Sequence, residues 1–429
     1  MSTLPSEVLL RIFDLLPVRD LASAGQTCRK WFHLSRDEVA WKKRLYAAYT
    51  PQERLDSTQP PFSDANSYLS TYIDLSNRVP RVCTQTCTAH DDEVLHVAVS
   101  HRGHLACTTS KDSTAIVWQI DPVAHRLSLY DRIGTPDLDV MYSEFNSTDE
   151  LLLVTGGHTF EGEIRVYDVS RKEVVMTFES VPYDSFGVWT SEKEFLCGQR
   201  FMELTDNHWS VHLCNASTGE RTLFGTYDER VLLPKSVSHH EPEVVTMLFT
   251  MEKNRPIPHC VGFSQRKDQS TASTIFNSVD LDCVVIGLVF SRDRQYLYCN
   301  CRSFRNKDDP TSFDVDDDIT TRVFRLDHVD LRLEPVQTLR GHKGFTPGRQ
   351  CFLIYLDVDE DYVASGSEEG CVHIWHRQSG AKAATLKGHD DVVNAVAFNP
   401  VNPSMLLSVS DDHTLKVWLS LSLAKQSFV

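Results

Sequence analysis

The apolar positions change period near residue 80. Over residues 1–45 they recur at helical spacing: Leu9, Ile12, Phe13 and Leu16 fall at i, i+3, i+4 and i+7, one face of a helix. Pro5 suits the first turn, where its missing N–H is not needed, and Glu7 complements the positive end of the dipole. Pro17 stops this helix. Asp20 is read as the cap of a short second helix through Leu21 and Ala24, which Gly25 ends. Cys28, Trp31, Phe32 and Ser35 share one side of a third helix, and Asp37 caps a fourth that carries Trp41 and Leu45. The pattern predicts a small all-α domain over residues 1–48. Residues 49–80 read as a linker: TPQERLDSTQPPFSDA has no apolar period, and Tyr68, Tyr72 and Leu75 then predict a helix over 66–76 that sets the distance between two modules.

From Arg81 the period is two, with turn signals every 8–12 residues or so, which predicts strands. The strands repeat. His90 is followed by VLHVAVS, then Asp112, then AIVW ending at Trp118. His389 is followed by VVNAVAF, then Asp412, then LKVW ending at Trp418. The His-to-Asp gaps are 22 and 23, and the Asp-to-Trp gap is 6 in both. A third copy runs from His342 to Trp375, with Glu369 at the acidic position and a His-to-acid gap of 27. GEIRVYD, TRVFRLD and the stretch around Trp209 are degenerate copies. The plan predicts an all-β propeller over 81–429. At about 40–45 residues per blade the length admits eight blades. With 253–283 and 307–318 taken as loop insertions the count is seven. Val82 to Thr88 precede His90 as an outer strand would, yet follow no blade, so they should complete the last one and remove its exposed edge.

Charge separates the same two modules. Residues 1–45 hold 8 Lys/Arg against 5 Asp/Glu, a net of +3, while the whole chain of 429 residues carries -16. That balance opposes a general nucleic-acid or anionic-membrane binder. No apolar run approaches the roughly 20 residues a membrane helix needs, and the N-terminus lacks the basic and small-residue features of a signal peptide. Twelve scattered cysteines without zinc-finger spacing read as reduced thiols of a cytoplasmic or nuclear protein. There is no phosphate loop, HExxH or GxSxG motif, and no cysteine in a catalytic context, so the chain reads as a non-enzyme without cofactor or metal. The aspartates at 308, 309, 314 and 316–318 read as a solvated loop.

The first module resembles the F-box. Leu4-Pro5, Leu9, Ile12-Phe13, Leu16-Pro17, Asp20-Leu21, Cys28-Arg29-Lys30-Trp31 and Trp41 follow that family's pattern, with Thr27 and Ala40 in place of larger apolar residues. The resemblance implies docking to the Skp adaptor of a Skp–cullin–F-box ubiquitin ligase through Leu4, Pro5, Leu9, Ile12, Leu16, Leu21, Cys28 and Trp31, some of which also form the domain's own core. The repeats resemble the WD repeat, one four-stranded blade per copy. In such a blade a His, a hydroxyl, an Asp and a Trp form a buried hydrogen-bonded chain. His90, Asp112 and Trp118, His342, Glu369 and Trp375, and His389, Asp412 and Trp418 are expected to do so. Because the spacing recurs with the repeat, these residues read as structural, not catalytic. Further stretches, among them RKWFHLSRDE, TSKDSTAIVW, RDRQYLYCNCR and EDYVASGSEEG, extend the resemblance over the whole chain to one family of F-box/WD-repeat proteins.

The family implies a substrate receptor whose propeller holds protein targets for ubiquitination. Arg302, Arg305, Lys343 and Arg349 are candidate substrate-facing cations. Two other readings stand beside it. One is a scaffold whose F-box helices serve internal packing. The other is a receptor for the WD-accepting cullin adaptor, whose Trp-Asp-x-Arg motif is only partial here, at Trp375-His376-Arg377 and Tyr167-Asp168.

Overall fold

The computed structural model describes residues 4–49, 67–135, 137–158, 162–180, 187–202, 207–227, 231–236, 244–249, 259–265, 275–306, 312, 314–347 and 353–427. Five helices come first: α1 (Ser6–Asp14), α2 (Val18–Gly25), α3 (Arg29–Leu34), α4 (Glu38–Tyr49) and α5 (Tyr68–Arg78). The two prolines act as boundaries. Pro5 and Pro17 hold the cap positions of α1 and α2, so Asp20 lies inside the first turn of α2 and not at its cap. Its charge still complements the dipole there. Asp37 does cap α4, accepting from the Ala40 N–H at 2.9 Å. Phe13, Leu21 and Trp41 are buried together, and Trp31 packs edge-on to Phe13. The Trp41 indole N–H is satisfied by the Ser35 carbonyl at 2.7 Å. Gly25 permits that closeness, since a Cβ there would lie 2.5 Å from Ser35 Oγ.

Seven four-stranded antiparallel sheets follow as a propeller. Blade 1 begins at Val94–Val99, blade 2 at Asp139–Phe145, blade 3 at Gly187–Trp189 and blade 4 at Val231–Ser236. Blade 5 begins at Cys283–Phe290, blade 6 at Leu356–Val358 and blade 7 at Val393–Phe398. The ring closes as its sequence predicts. Strand Pro80–Cys87 pairs with Leu415–Ser420 as the outer strand of blade 7, with Cys83 opposite Trp418. Blade 7 then packs on blade 1 through Val94, Val97, Ala395, Leu407 and Val409, so the two chain ends share one core. One expectation changes. The stretch 253–283, taken as an insertion, contributes strands Cys260–Gln265 and Phe276–Asp280 of blade 4. Only short apolar runs mark them, and polar sequence on both sides hides the period.

Helix α5 joins the two modules. Leu69 and Tyr72 pack against the core of the helical module, and the Tyr72 ring lies 5.1 Å from that of Trp41. At its other end the Leu75 carbonyl accepts from Tyr362 Oη at 2.7 Å, and Arg78 reaches Asp361 at 3.5 Å. The C-terminal helix α6 (Leu421–Ser427) adds a bond from Ser422 Oγ to the Asn77 carbonyl. Asp361 lies in the turn between the first two strands of blade 6. That turn is on the propeller face opposite the one bearing the His and Asp loops, so the helical module leaves the latter face clear.

Candidate protein interaction site

Helix α1 is apolar on two sides, and only one is used internally. Leu9 and Phe13 are 1% and 2% exposed, and they fill the domain core. Val8, Ile12 and Leu15 lie 41%, 42% and 86% exposed on the other side. Leu4 and Phe32 are also exposed, as are Pro5 and Cys28, and Leu16 and Trp31 are half-buried. Lys30 Nζ donates to the Leu4 carbonyl at 2.7 Å and ties the start of the chain to α3. The Arg36 guanidinium sits 3.8 Å over the Phe32 ring. Leu4, Val8, Ile12 and Leu15 recur along one side of α1 as an exposed apolar strip, the kind of surface that marks a protein partner, whereas Phe32 lines a separate cleft with Val18, Leu21, Trp41 and Tyr72. Two of the expected adaptor contacts are corrected: Leu9 and Leu21, at 1% and 2% exposure, are core residues with no surface to offer. Val8 and Leu15, exposed on that side, were not among the expected contacts. The helical period alone could have found them, since they stand four residues before and three after Ile12.

The blade networks form in two of the three expected copies. In blade 1 the Trp118 indole N–H donates to Thr108 Oγ1 at 2.9 Å, the Thr108 hydroxyl to His90 Nε2 at 2.8 Å, and His90 Nδ1 to Asp112 at 2.8 Å. Blade 7 repeats this with Trp418, Ser408, His389 and Asp412 at 2.7, 2.7 and 2.8 Å. Burial raises the carboxyls of Asp112 and Asp412, but hydrogen bonds from the histidine and from Thr114 or Thr414 outweigh it and hold both below the usual range. Burial also lowers His90 below the ordinary imidazole value, so it is neutral. These residues are enclosed, which fits a structural role and leaves no room for a substrate.

Blade 6 is the exception. Ser365, ten residues before Trp375 as Thr108 is before Trp118, accepts from Asn300 Nδ2 at 2.8 Å and donates to the Gly366 carbonyl. The Trp375 indole N–H turns instead to the Arg340 carbonyl at 3.1 Å. His342 and Glu369 are therefore not joined through a hydroxyl to Trp375. Capture of the serine by blade 5 is the physical reason.

Of the candidate substrate-facing cations, Arg302 is corrected, while Arg305 and Lys343 stay at the surface. Arg302 is 1% exposed, with Nε donating to the Asp316 carbonyl at 2.8 Å and Nη1 lying 3.8 Å from Glu368. It is an internal strut. Arg305 is clamped by Asp314, Asp316 and Asp317, the last at 2.9 Å, and Lys343 by Asp318 at 2.9 Å. Arg349 lies outside the described residues. Of the aspartates read as a solvated loop, Asp314 and Asp316–Asp318 thus pair with the basic residues near them, and those at 308 and 309 lie outside the described residues. Among the described residues, no helix is long and apolar enough to cross a membrane.

With this geometry in view, the relationships are plain. Residues 1–46 match the F-box-like family, and residues 81–119, 333–376 and 380–418 match the WD domain, G-beta repeat. The chain joins a short F-box-like helical module to a seven-bladed WD-repeat propeller. It is similar along nearly its whole length to F-box/WD repeat-containing protein 5 of Homo sapiens, at 26% identity over 97% of this chain and 94% of that protein. The protein of the same description from Rattus norvegicus is equally similar, at 26% over 98%. A WD repeat-containing protein 26 homolog of Arabidopsis thaliana is 24% identical over 82% of this chain and 53% of its own length.

Proposed function

We propose that this chain is the substrate receptor of a Skp–cullin–F-box ubiquitin ligase. The observation that carries the reading is the unused side of α1. Leu4, Val8, Ile12 and Leu15 are held outward by a helix whose other side is already buried. Full burial of such a side chain is worth roughly 1.5–3 kcal/mol. These four are partly exposed, and their exposures sum to about two whole side chains, so covering them supplies about 3–6 kcal/mol before association costs. A scaffold whose helices served only internal packing would have no need of that side. The chain performs no bond chemistry in this reading. It holds a target beside a ubiquitin-charged enzyme and raises their effective concentration. The α5 joint contributes by fixing the adaptor end on one propeller face, leaving the opposite face for targets. The partners are then the Skp adaptor, through it a cullin-RING ligase, and protein substrates. The double variant Ile12→Asp/Leu15→Asp tests this. Both residues are exposed, so the fold should stay intact while adaptor binding is lost. Retained binding would exclude this surface.

A further inference from the structure

Blade 4 brings three metal-binding side chains together where its third strand begins and its outer strand ends. Cys260 opens the strand Cys260–Gln265, Asp280 closes the strand Phe276–Asp280, and the two residues stand opposite each other in the antiparallel register. One step along the ladder, the Leu281 N–H donates to the His259 carbonyl at 2.9 Å. His259 and Leu281 are thus a hydrogen-bonded pair, and Cys260 and Asp280 a non-hydrogen-bonded one, the kind whose side chains stand closest on one side of a sheet. A His259 ring nitrogen, the Cys260 sulfur and an Asp280 carboxylate oxygen all lie within 4.8 Å of one another. Among the described residues, no other trio of His, Cys, Asp or Glu meets that spacing.

The donors are zinc ligands by type. A thiolate and a carboxylate bring two negative charges to a dication, and the imidazole adds a neutral nitrogen. Calcium and magnesium take oxygen ligands and have no use for the sulfur. Around tetrahedral zinc, with bonds of about 2.0–2.3 Å, neighbouring donors lie roughly 3.3–3.7 Å apart, so the cluster closes with at most about 1.5 Å of side-chain movement. His259 and Cys260 are 1% and 0% exposed, whereas Asp280 is exposed. Two donors therefore come from inside the blade and one from its edge, and the fourth position is left to water. The Asp282 N–H donates to Asp280 Oδ1 at 2.8 Å and orients the carboxylate. Arg322, the opposing charge beside the ladder, is engaged by the Leu281 carbonyl at 2.5 Å.

We propose that His259, Cys260 and Asp280 bind a zinc ion that clips the outer strand of blade 4 to its neighbour. That strand is five residues long and forms the edge of its sheet, so it gains most from a clip. Asp280 and Cys260 occupy the places that Cys87 and Leu415 hold in blade 7, at the end that leads to His90. The ion therefore sits on the face of the His and Asp loops, which the helical module leaves clear. On binding, the Cys260 thiol gives its proton to solvent and the thiolate takes the metal. This inference does not depend on the ligase reading.

The test uses the full-length chain, treated with chelator and titrated with Co²⁺ alone as a coloured substitute for zinc. One equivalent should give the visible bands of four-coordinate cobalt and a near-ultraviolet thiolate charge-transfer band, both removed by zinc. Asp280→Asn, at an exposed position, should leave the unfolding curve of the chelator-treated chain unchanged and weaken cobalt binding about tenfold or more. Cobalt should also raise the urea midpoint of the wild-type chain more than that of Asp280→Asn. Cys260→Ser should lose the charge-transfer band; if that buried variant does not fold, Asp280→Asn decides alone. A folded wild-type chain without the visible bands would overturn the proposal. So would cobalt binding that Asp280→Asn leaves unchanged, or a charge-transfer band that persists in Cys260→Ser.

Discussion

Asp412 and Glu369 occupy the same position in two repeats, yet the structure assigns them different worth. The Asp412 carboxylate accepts four hydrogen bonds: from His389 at 2.8 Å, the Asp390 N–H at 3.1 Å, the Thr414 N–H at 3.0 Å and the Thr414 hydroxyl at 2.6 Å. Its side chain is 9% exposed. Bonds to a charged group are worth about 1.5–3 kcal/mol each. Asp412→Asn keeps the shape, but its amide NH₂ must face one of two pairs of donors. Two charge-assisted bonds are lost and two donors are left unpaired, so the variant should lose about 3–5 kcal/mol of stability. Glu369 accepts no side-chain hydrogen bond among the described residues, and 36% of its side chain is exposed. Glu369→Gln should cost less than about 0.5 kcal/mol, as an ordinary surface change does. Urea unfolding of both variants at pH 7 measures the difference. Equal losses at the two positions, or a loss below about 1 kcal/mol for Asp412→Asn, would refute the argument that geometry, not repeat spacing, decides which networks stabilise.

The remaining predictions concern other parts of the molecule. His342 and His373 have folded values of about 3 and about 4, below the 6.5 of a free imidazole, so the unfolded chain binds more protons as pH falls below 6.5. Their contribution is therefore full above pH 6.5 and lost on acidification. At pH 5 each costs about 2 kcal/mol, and the wild-type chain should lose about 4 kcal/mol more than His342→Gln/His373→Gln between pH 7 and pH 5 in urea melts. Leu9→Ala should destabilise the chain by about 2–5 kcal/mol, while Leu15→Ala, one and a half turns away, should leave its unfolding curve within about 0.5 kcal/mol and weaken only partner binding. Tyr362→Phe removes the bond to the Leu75 carbonyl at a cost of about 1 kcal/mol. With Arg78→Ala added it should loosen the joint, seen as faster amide exchange in α5 with exchange in blades 1 to 3 unchanged.

The architecture was legible because its two halves obey different periods. Leu9, Ile12, Phe13 and Leu16 write a helix, and the repeated His–Asp–Trp spacing writes a blade, down to the strand Pro80–Cys87 that closes the ring. Blade 4 was not legible. Its third and fourth strands are six and five residues long and sit among polar stretches, so no period accumulates. The site was half legible. Sequence spacing identifies α1 as apolar but does not say which of its two apolar sides faces inward, so Leu9 was counted with the surface and Leu15 was not, and Leu21 of α2 was misplaced in the same way. Lone basic residues at loops carry even less information. Arg302 and Arg305 differ only in what surrounds them, a buried carbonyl and Glu368 for one and a ring of aspartates for the other, and neither neighbourhood is local in sequence. The blade 6 network was misread for a related reason: His342 and Glu369 keep the repeat's order, but the hydroxyl that should join them to Trp375 is held by Asn300 of blade 5.

The most direct test of the receptor reading is the binding of the full-length chain to the purified Skp adaptor, measured by calorimetry beside Ile12→Asp/Leu15→Asp. The account predicts that the wild-type chain binds at sub-micromolar Kd and that the variant, with an unchanged unfolding curve, does not bind. A folded wild-type chain that fails to bind the adaptor, or a variant that binds as tightly as wild type, would contradict it.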